Sequence, residues 1–194
     1  MSPRLVKVVL DACILFRAPL RDTLLRAAET GLYQVYWSEM ILEEVIRNLV
    51  ATGKSNHQQA QRLFNALCQA FPDATVQEFD SLISEMTNDE KDRHVLAAAV
   101  KAKAKVIVTS NLTDFPDRAL SPFKIKARSP DQFLRYLFHQ DPEKMTQIII
   151  EQAAQMRRPP KTVTDVLNVL AVDAPSFVEL VRSQISHLDR SFNL

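Results

Sequence analysis

Three acidic segments, each attached to an apolar stretch, carry the side chains of this sequence that could do chemistry. Asp11 directly follows VKVVL, Glu43 and Glu44 lie within MILEEVIRNL, and Asp92 begins DRHVLAAAV. Carboxylate oxygens are the ligands that Mg²⁺ and Mn²⁺ prefer, and such a cation can activate water for hydrolysis. Whether these acids meet depends on the strands and helices that carry them.

Strands and helices alternate along the first 140 residues. The short apolar runs RLVKVVL, QVYWS and KVIVTS predict buried strands, and TVQEF and FKIKA predict two further strands. Helical spacing fills the segments between them, with Ser38 as an expected N-cap and Gly31 and Gly53 as expected helix ends. The alternation predicts an α/β fold with a mostly parallel sheet that helices cover on both faces.

From about residue 141 the pattern changes to helices alone. DPEKMTQIIIEQAAQM, KTVTDVLNVLA and APSFVELVRSQISHL each have helical apolar spacing, and RRPPK separates the first two. We therefore expect a main domain over residues 1–140 and a helical C-terminal extension over residues 141–194.

The composition of the chain excludes several classes of binding site and partner. Two glycines are too few for a glycine-rich phosphate loop, and the net charge of +1 provides no global attraction to nucleic acids or membranes. Cys13 and Cys68 fit a reducing compartment and cannot form a four-thiolate zinc site. Asp11 interrupts the N-terminus before a signal sequence could develop, and no segment reaches about 20 apolar residues. We expect a cytoplasmic protein with no membrane partner.

The carboxyl ends of parallel strands lie at one edge of a sheet, and ligands of such folds bind there. Asp11 ends the first predicted strand, and both glutamates lie in the second turn of the helix after QVYWS. Taken singly, Asp11 fits a turn or cap residue better, and the glutamates fit a solvated helix face near its positive end.

Asp92 carries the strongest single signal. Helical projection places it within the apolar stripe that begins at Val95, with Arg93 and His94 pointing elsewhere. An inward carboxylate needs a partner, because burying an unpaired charge is costly. A role at the positive end of the helix dipole would explain an acid here but not its inward direction.

The segment VTSNLTDFP adds oxygen donors after the strand KVIV. Thr109, Ser110, Asn111 and Asp114 lie within six residues, and an Asx-turn before a short helix is the alternative interpretation. Acids from distant parts of the chain would repel one another at one edge unless a cation neutralised them. Oxygen donors without paired His or Cys ligands favour Mg²⁺ or Mn²⁺ over zinc.

In this order, Asp11, ILEEVIRNL, DEKDRHVLAAAV and VIVTSNLTDFP resemble the PIN domain family over about residues 4–140, with the greatest similarity to VapC-like toxins of bacterial toxin–antitoxin pairs. The resemblance implies a three-layer α/β/α sandwich and Mg²⁺- or Mn²⁺-dependent RNA cleavage. The family's acids fall on Asp11, on Glu44 and on Asp92. The family's fourth motif often has Asp where this chain has Asn111, followed by the acid Asp114. The C-terminal helices look like the extension of a larger VapC-like subgroup.

These expectations combine into one hypothesis, hydrolysis of RNA phosphodiester bonds. Asp11, Glu44, Asp92 and Asp114 would bind one or two metal ions, directly or through water, and Glu43 would replace Glu44 if the register differs by one residue. Thr109, Ser110 and Asn111 would orient ligands or water, and Arg17 could contact RNA. A cognate antitoxin and a homodimer are the expected protein partners.

Two other classes of function compete with this hypothesis. A non-catalytic PIN-fold module could bind a structural ion or a basic partner peptide in the same acidic pocket. A phosphatase of the haloacid dehalogenase type needs a second acid two residues after the first, and Cys13 occupies that position.

Overall fold

A computed structural model of the chain describes residues 5–157 and 159–191, and for residues 188–191 it describes the helix but not the side chains. Five strands form one sheet in which every neighbouring pair is parallel. The strands are β1 (Lys7–Leu10), β2 (Gln34–Ser38), β3 (Thr75–Val76), β4 (Val106–Val108) and β5 (Lys126–Arg128). The helices that flank this sheet fit the predicted α/β/α architecture.

The order of the strands is β3-β2-β1-β4-β5, which places β1 in the centre. Val8, Val9 and Leu10 of β1 are fully buried, as their apolar run predicts. The chain builds outward from β1 through β2 to β3 and then crosses to β4 on the other side. The boundary between β1 and β4 is therefore the switch point, where ligands of open parallel sheets bind.

Eleven α-helices accompany the sheet in the described part of the chain. They are α1 (Ala12–Leu15), α2 (Ala18–Glu29), α3 (Glu39–Ala51), α4 (His57–Ala70), α5 (Asp80–Ile83), α6 (Arg93–Ala102), α7 (Asp117–Leu120), α8 (Pro130–Gln140), α9 (Pro142–Gln155), α10 (Val163–Leu170) and α11 (Pro175–Ser191). Short 3₁₀ turns cover Glu90–Asp92, Leu112–Asp114 and Ser121–Phe123.

Local sequence signals set several of these helix ends. The Ser38 side chain accepts a hydrogen bond from the Ile41 amide and caps α3, as predicted. Gly31 and Gly53 adopt positive φ angles of 75° and 67° just after α2 and α3. Glycine takes this conformation without steric cost, which explains why both helices end there.

The chain divides into two compact units. One consists of the residues up to Arg17 together with Tyr33–Ser129, and the other consists of Ala18–Leu32 together with the chain from Pro130 onward. The division at residue 140 stays a prediction, and these units differ from it in two helices, because α2 and α8 group with α9, α10 and α11.

The second unit is helical and has its own buried core. Phe133, Ile149 and Phe177 are completely buried within it. The hydroxyl of Thr23 in α2 donates to the side-chain oxygen of Gln152 in α9 at 2.7 Å, and the Gln152 amide donates to the Pro19 carbonyl at 3.0 Å. These buried polar groups satisfy one another across 129 and 133 residues of sequence.

No helix within the described ranges is long and apolar enough to cross a membrane.

Candidate metal-dependent active site

Asp11 lies between the end of the central strand β1 and the start of helix α1. Its amide donates to the Val108 carbonyl at 3.1 Å, which continues the pairing of β1 with β4 by one residue. Only 2% of the residue is exposed. One carboxylate oxygen accepts from the Ala12 amide at 2.6 Å, so that Asp11 is also the N-cap of α1. The predicted turn or cap role is therefore real, and it coexists with a fixed, inward carboxylate.

Thr109 and Cys13 hold the other oxygen of Asp11. The Thr109 hydroxyl donates to this oxygen at 2.6 Å, and the Cys13 thiol donates to it at 3.2 Å. The Cys13 sulfur in turn accepts from the Ser110 amide at 3.3 Å. Burial is the largest of the causes that raise the pKa of Cys13 to about 12, and the charge of Asp11 adds to it. Cys13 is thus a neutral thiol that links the ends of β1 and β4.

Three further acids border a cleft of about 540 Å³, which we call the acidic cleft. Glu44 from α3, Asp92 from the turn before α6, and Asp114 from the turn after β4 all line it, together with Asn111. All three acids are partly exposed. The Asp89 amide donates to the Asp114 carbonyl at 3.1 Å, which ties the segment before Asp92 to the segment after β4.

Burial and the negative charges of the neighbouring acids together raise the pKa of Asp92. The pKa of Asp92 is raised from an ordinary value of 3.8 to about 7, with burial as the largest cause. The charges of Asp11, Asp114 and Glu44 follow in that order, and Asp89 contributes last. Asp92 is therefore subject to repulsion from several other acids, and like charges gathered in this way favour the binding of a cation.

His94 corrects one sequence-based expectation. Helical projection pointed it away from the site, but it is only 9% exposed, and it lines the acidic cleft. Its Nε2 lies 3.8 Å from a carboxylate oxygen of Glu44 and has no hydrogen-bond partner. The projection failed because it assumed one inward face, whereas residues 94–99 of α6 are all buried, so that this helix is enclosed on nearly every side.

The remaining predicted residues lie in and around this arrangement. Ser110 is exposed, and its backbone amide makes the contact to Cys13. Glu43 lines the same cleft as Glu44 but is exposed, so that Glu44 is the more enclosed of the two. Arg17 is exposed just after α1 and does not line the cleft.

The donor chemistry of the site fits a hard divalent cation. The carboxylates of Glu44, Asp92 and Asp114 and the side chain of Asn111 line one cleft, and the unpartnered Nε2 of His94 belongs to a residue of the same cleft. Over residues 5–157 and 159–187, however, no three His, Cys, Asp or Glu side chains form a finished metal-binding group. The ligands named from the sequence, Asp11, Glu44, Asp92 and Asp114, therefore stay a prediction.

Sequence reasoning missed several residues that the structure places in the site, among them Cys13, His94 and Arg47. Cys13 served in the sequence analysis only to exclude other functions, although a residue two positions after Asp11 remains near it in the first turn of a helix. His94 gave no usable signal, because residues two positions apart on a helix do not face each other, and only the packing of α6 brings its side chain to the cleft.

Comparison with known proteins defines the family. A model described as "PIN domain" matches residues 7–113, which is more than half of the chain. The chain belongs to the PIN domain family, and the predicted resemblance is confirmed. A second model, described as "VapC50 C-terminal domain", matches residues 130–183.

The chain is also similar to one particular protein. The chain is 42% identical over 104 residues to "Putative ribonuclease VapC50" of Mycobacterium tuberculosis. The match covers 54% of this chain and 62% of the relative, which is less than two thirds of that protein's length. No solved structure matches the chain.

Proposed function

We propose that this protein is a divalent-metal-dependent endoribonuclease, the toxin of a toxin–antitoxin pair. The observation that supports it most directly is that Glu44, Asp92 and Asp114, from three different elements, line one cleft near the switch point of the sheet. The relative's name, which contains the word ribonuclease, agrees with this activity.

Each acid has a distinct part in this proposal. Asp11, which the Thr109 hydroxyl and the Ala12 amide hold in place, offers its oxygens from the rigid end of β1. Glu44, Asp92 and Asp114 offer theirs from three other elements around the acidic cleft. When bound there as a cofactor, Mg²⁺ or Mn²⁺ supplies the positive charge that offsets these acids and the substrate phosphate, and it makes water a better nucleophile.

The neighbouring polar residues would orient the Asp11 carboxylate, the substrate phosphate and water. Thr109 and Cys13 fix the direction of the Asp11 carboxylate from one side, because each donates to the same oxygen. Asn111 lines the cleft and could donate its amide hydrogen atoms to a phosphate oxygen. The exposed hydroxyl of Ser110 would bind water in the same region.

The partners follow from the same proposal. An RNA strand is the substrate, and an antitoxin in the cytoplasm would cover the acidic cleft. Arg17 is exposed on the same compact unit and could contact RNA, and a homodimer remains part of the proposal.

Cleavage of a mixed RNA pool by the purified chain tests the proposal. We expect cutting with Mg²⁺ or Mn²⁺ and none with EDTA. Asp114→Asn should lower the rate at least about 100-fold, whereas Asp117→Asn, an exposed acid three residues further on, should keep it within about 3-fold. Cutting that survives EDTA would contradict the metal role. Metal binding without cutting of any RNA would favour the non-catalytic module.

A further inference from the structure

A second cleft of about 650 Å³ lies between α3 and the first turns of α4. Ile46, Arg47, Val50 and Ala51 line it from α3, and His57 and Gln61 line it from α4. The two sets recur at helical spacing, so that each helix turns one face toward the opening. We call this opening the α3–α4 cleft.

The α3–α4 cleft is continuous with the acidic cleft through α3. Glu43 and Arg47 line both of them. Arg47 follows Glu44 by three residues, which corresponds to about 4.5 Å along the helix axis. A molecule that occupies the acidic cleft and extends past Arg47 therefore enters the α3–α4 cleft.

Arg47 gives this junction the chemistry of a phosphate contact. Its side chain is exposed, and none of the salt bridges among the described residues includes it. A guanidinium beside several carboxylates, but paired with none of them, can donate two hydrogen bonds to a phosphate. The same positive charge would repel a basic peptide that the acids attract, which favours RNA over such a partner.

The interior beyond Arg47 fits a nucleobase. Ile46 and the 39%-exposed Val50 provide an apolar wall for the face of a base. His57 and Gln61 stand on the opposite helix with polar groups that can reach the edge of the base. Proteins recognise single-stranded RNA in this way, by stacking an unpaired base and bonding to its edges.

We propose that the α3–α4 cleft binds the nucleotide next to the scissile phosphate and thereby sets the sequence preference of cleavage. Arg47 would hold the intervening phosphate, and Ile46, Val50, His57 and Gln61 would contact the base. The inference rests on the proposed ribonuclease function and extends it from the reaction to the choice of substrate.

Filling the cleft tests the proposal. Ala51→Trp places a large ring in the α3–α4 cleft from an exposed position, and Ala66→Trp places the same ring on an exposed part of α4 that does not line it. Two substrates are compared, an RNA pool whose cut sites are sequenced and bis(p-nitrophenyl) phosphate, a small diester that needs only the acidic cleft. Ala51→Trp should lower the ratio of RNA cleavage to diester hydrolysis about 10- to 100-fold. It should also change the preferred nucleotide beside the cut, whereas Ala66→Trp should leave both readouts unchanged.

The phosphate contact has its own readout. Arg47→Gln should reduce the dependence of RNA binding on salt, lowering the slope of log K against log salt concentration by about 0.7 for a single-stranded substrate. An unchanged cut-site map and rate ratio in Ala51→Trp would overturn the proposal, even if that variant lost a protein partner.

Failure of the ribonuclease function is distinguishable from failure of the cleft. If the ribonuclease function is wrong, the unmodified chain hydrolyses neither RNA nor the diester, with or without metal. Binding of a fluorescent RNA oligonucleotide to the full chain then tests the cleft. Equal affinities of Ala51→Trp and Ala66→Trp would overturn the nucleotide site, and weaker binding by Ala51→Trp alone would support it.

Discussion

Replacement of Asp92 by asparagine is expected to stabilise the metal-free protein while it removes the proposed activity. Burial and four neighbouring acids raise the pKa of Asp92 to about 7, so that at higher pH the folded protein must hold an unfavourable negative charge there. Asparagine has nearly the same shape but no charge. The substitution therefore relieves repulsion on Asp92 and on its acidic neighbours together.

The sign and size of this effect follow from proton linkage. Because the pKa of Asp92 is higher in the folded protein than in the unfolded chain, the folded protein binds the proton more tightly between about pH 4 and pH 7. The free energy of unfolding falls as the pH rises through this window. Three pKa units correspond to about 4 kcal/mol, which solvent screening of a half-buried group reduces to about 1–2 kcal/mol. For a chain of this length, the melting temperature of Asp92→Asn should be higher by about 2–8 °C near pH 8.

Thermal unfolding in EDTA, followed by circular dichroism, measures the difference. The gap between the variant and the unmodified chain should be large near pH 8 and smaller near pH 5, where the folded protein already holds the proton. Asp73→Asn, at an exposed acid in the turn before β3, is the matched control and should change little. A lower melting temperature for Asp92→Asn near pH 8, or a gap that does not depend on pH, would refute the reasoning.

Three further predictions follow from other contacts. Glu44→Gln should lower RNA cleavage at least about 100-fold in initial-rate assays, whereas Glu39→Gln, an exposed acid in the first turn of the same helix, should stay within about 3-fold. Thr109→Val removes the hydroxyl that donates to the buried Asp11 carboxylate, and urea unfolding should show a loss of about 1–3 kcal/mol. Gln152→Leu breaks the buried hydrogen bonds between α9 and α2, and it should lower the free energy of unfolding by about 1–3 kcal/mol. An unchanged urea midpoint in either stability variant would contradict the assigned contact.

Short-range signals made the elements and the position of the acidic cleft predictable. The apolar run before Asp11 identified the central strand, and Ser38 identified the start of α3, because a buried strand and a helix cap each depend on neighbouring residues. Once the sheet was expected to be parallel, the edge that would carry Asp11, Asp92 and Asp114 followed from the direction of the strands.

Long-range packing was not predictable in the same way. The amphipathic pattern of α2 predicts that one of its faces is buried, but it does not identify the helices that cover this face. In the structure, α2 belongs to the same compact unit as the helices from Pro130 onward. The order of the strands depends on pairing between distant segments, which no local pattern encodes. His94 is buried although it lies off the apolar stripe, because α6 is enclosed on nearly every side by the rest of the fold.

Cleavage of RNA by the unmodified chain and by Asp92→Asn, side by side with Mg²⁺, tests the central claim most directly. We predict that the unmodified chain cuts RNA, that EDTA stops it, and that Asp92→Asn is folded but inactive. Equal cutting by the two proteins would contradict the claim that the acids converging on Asp92 form the active site.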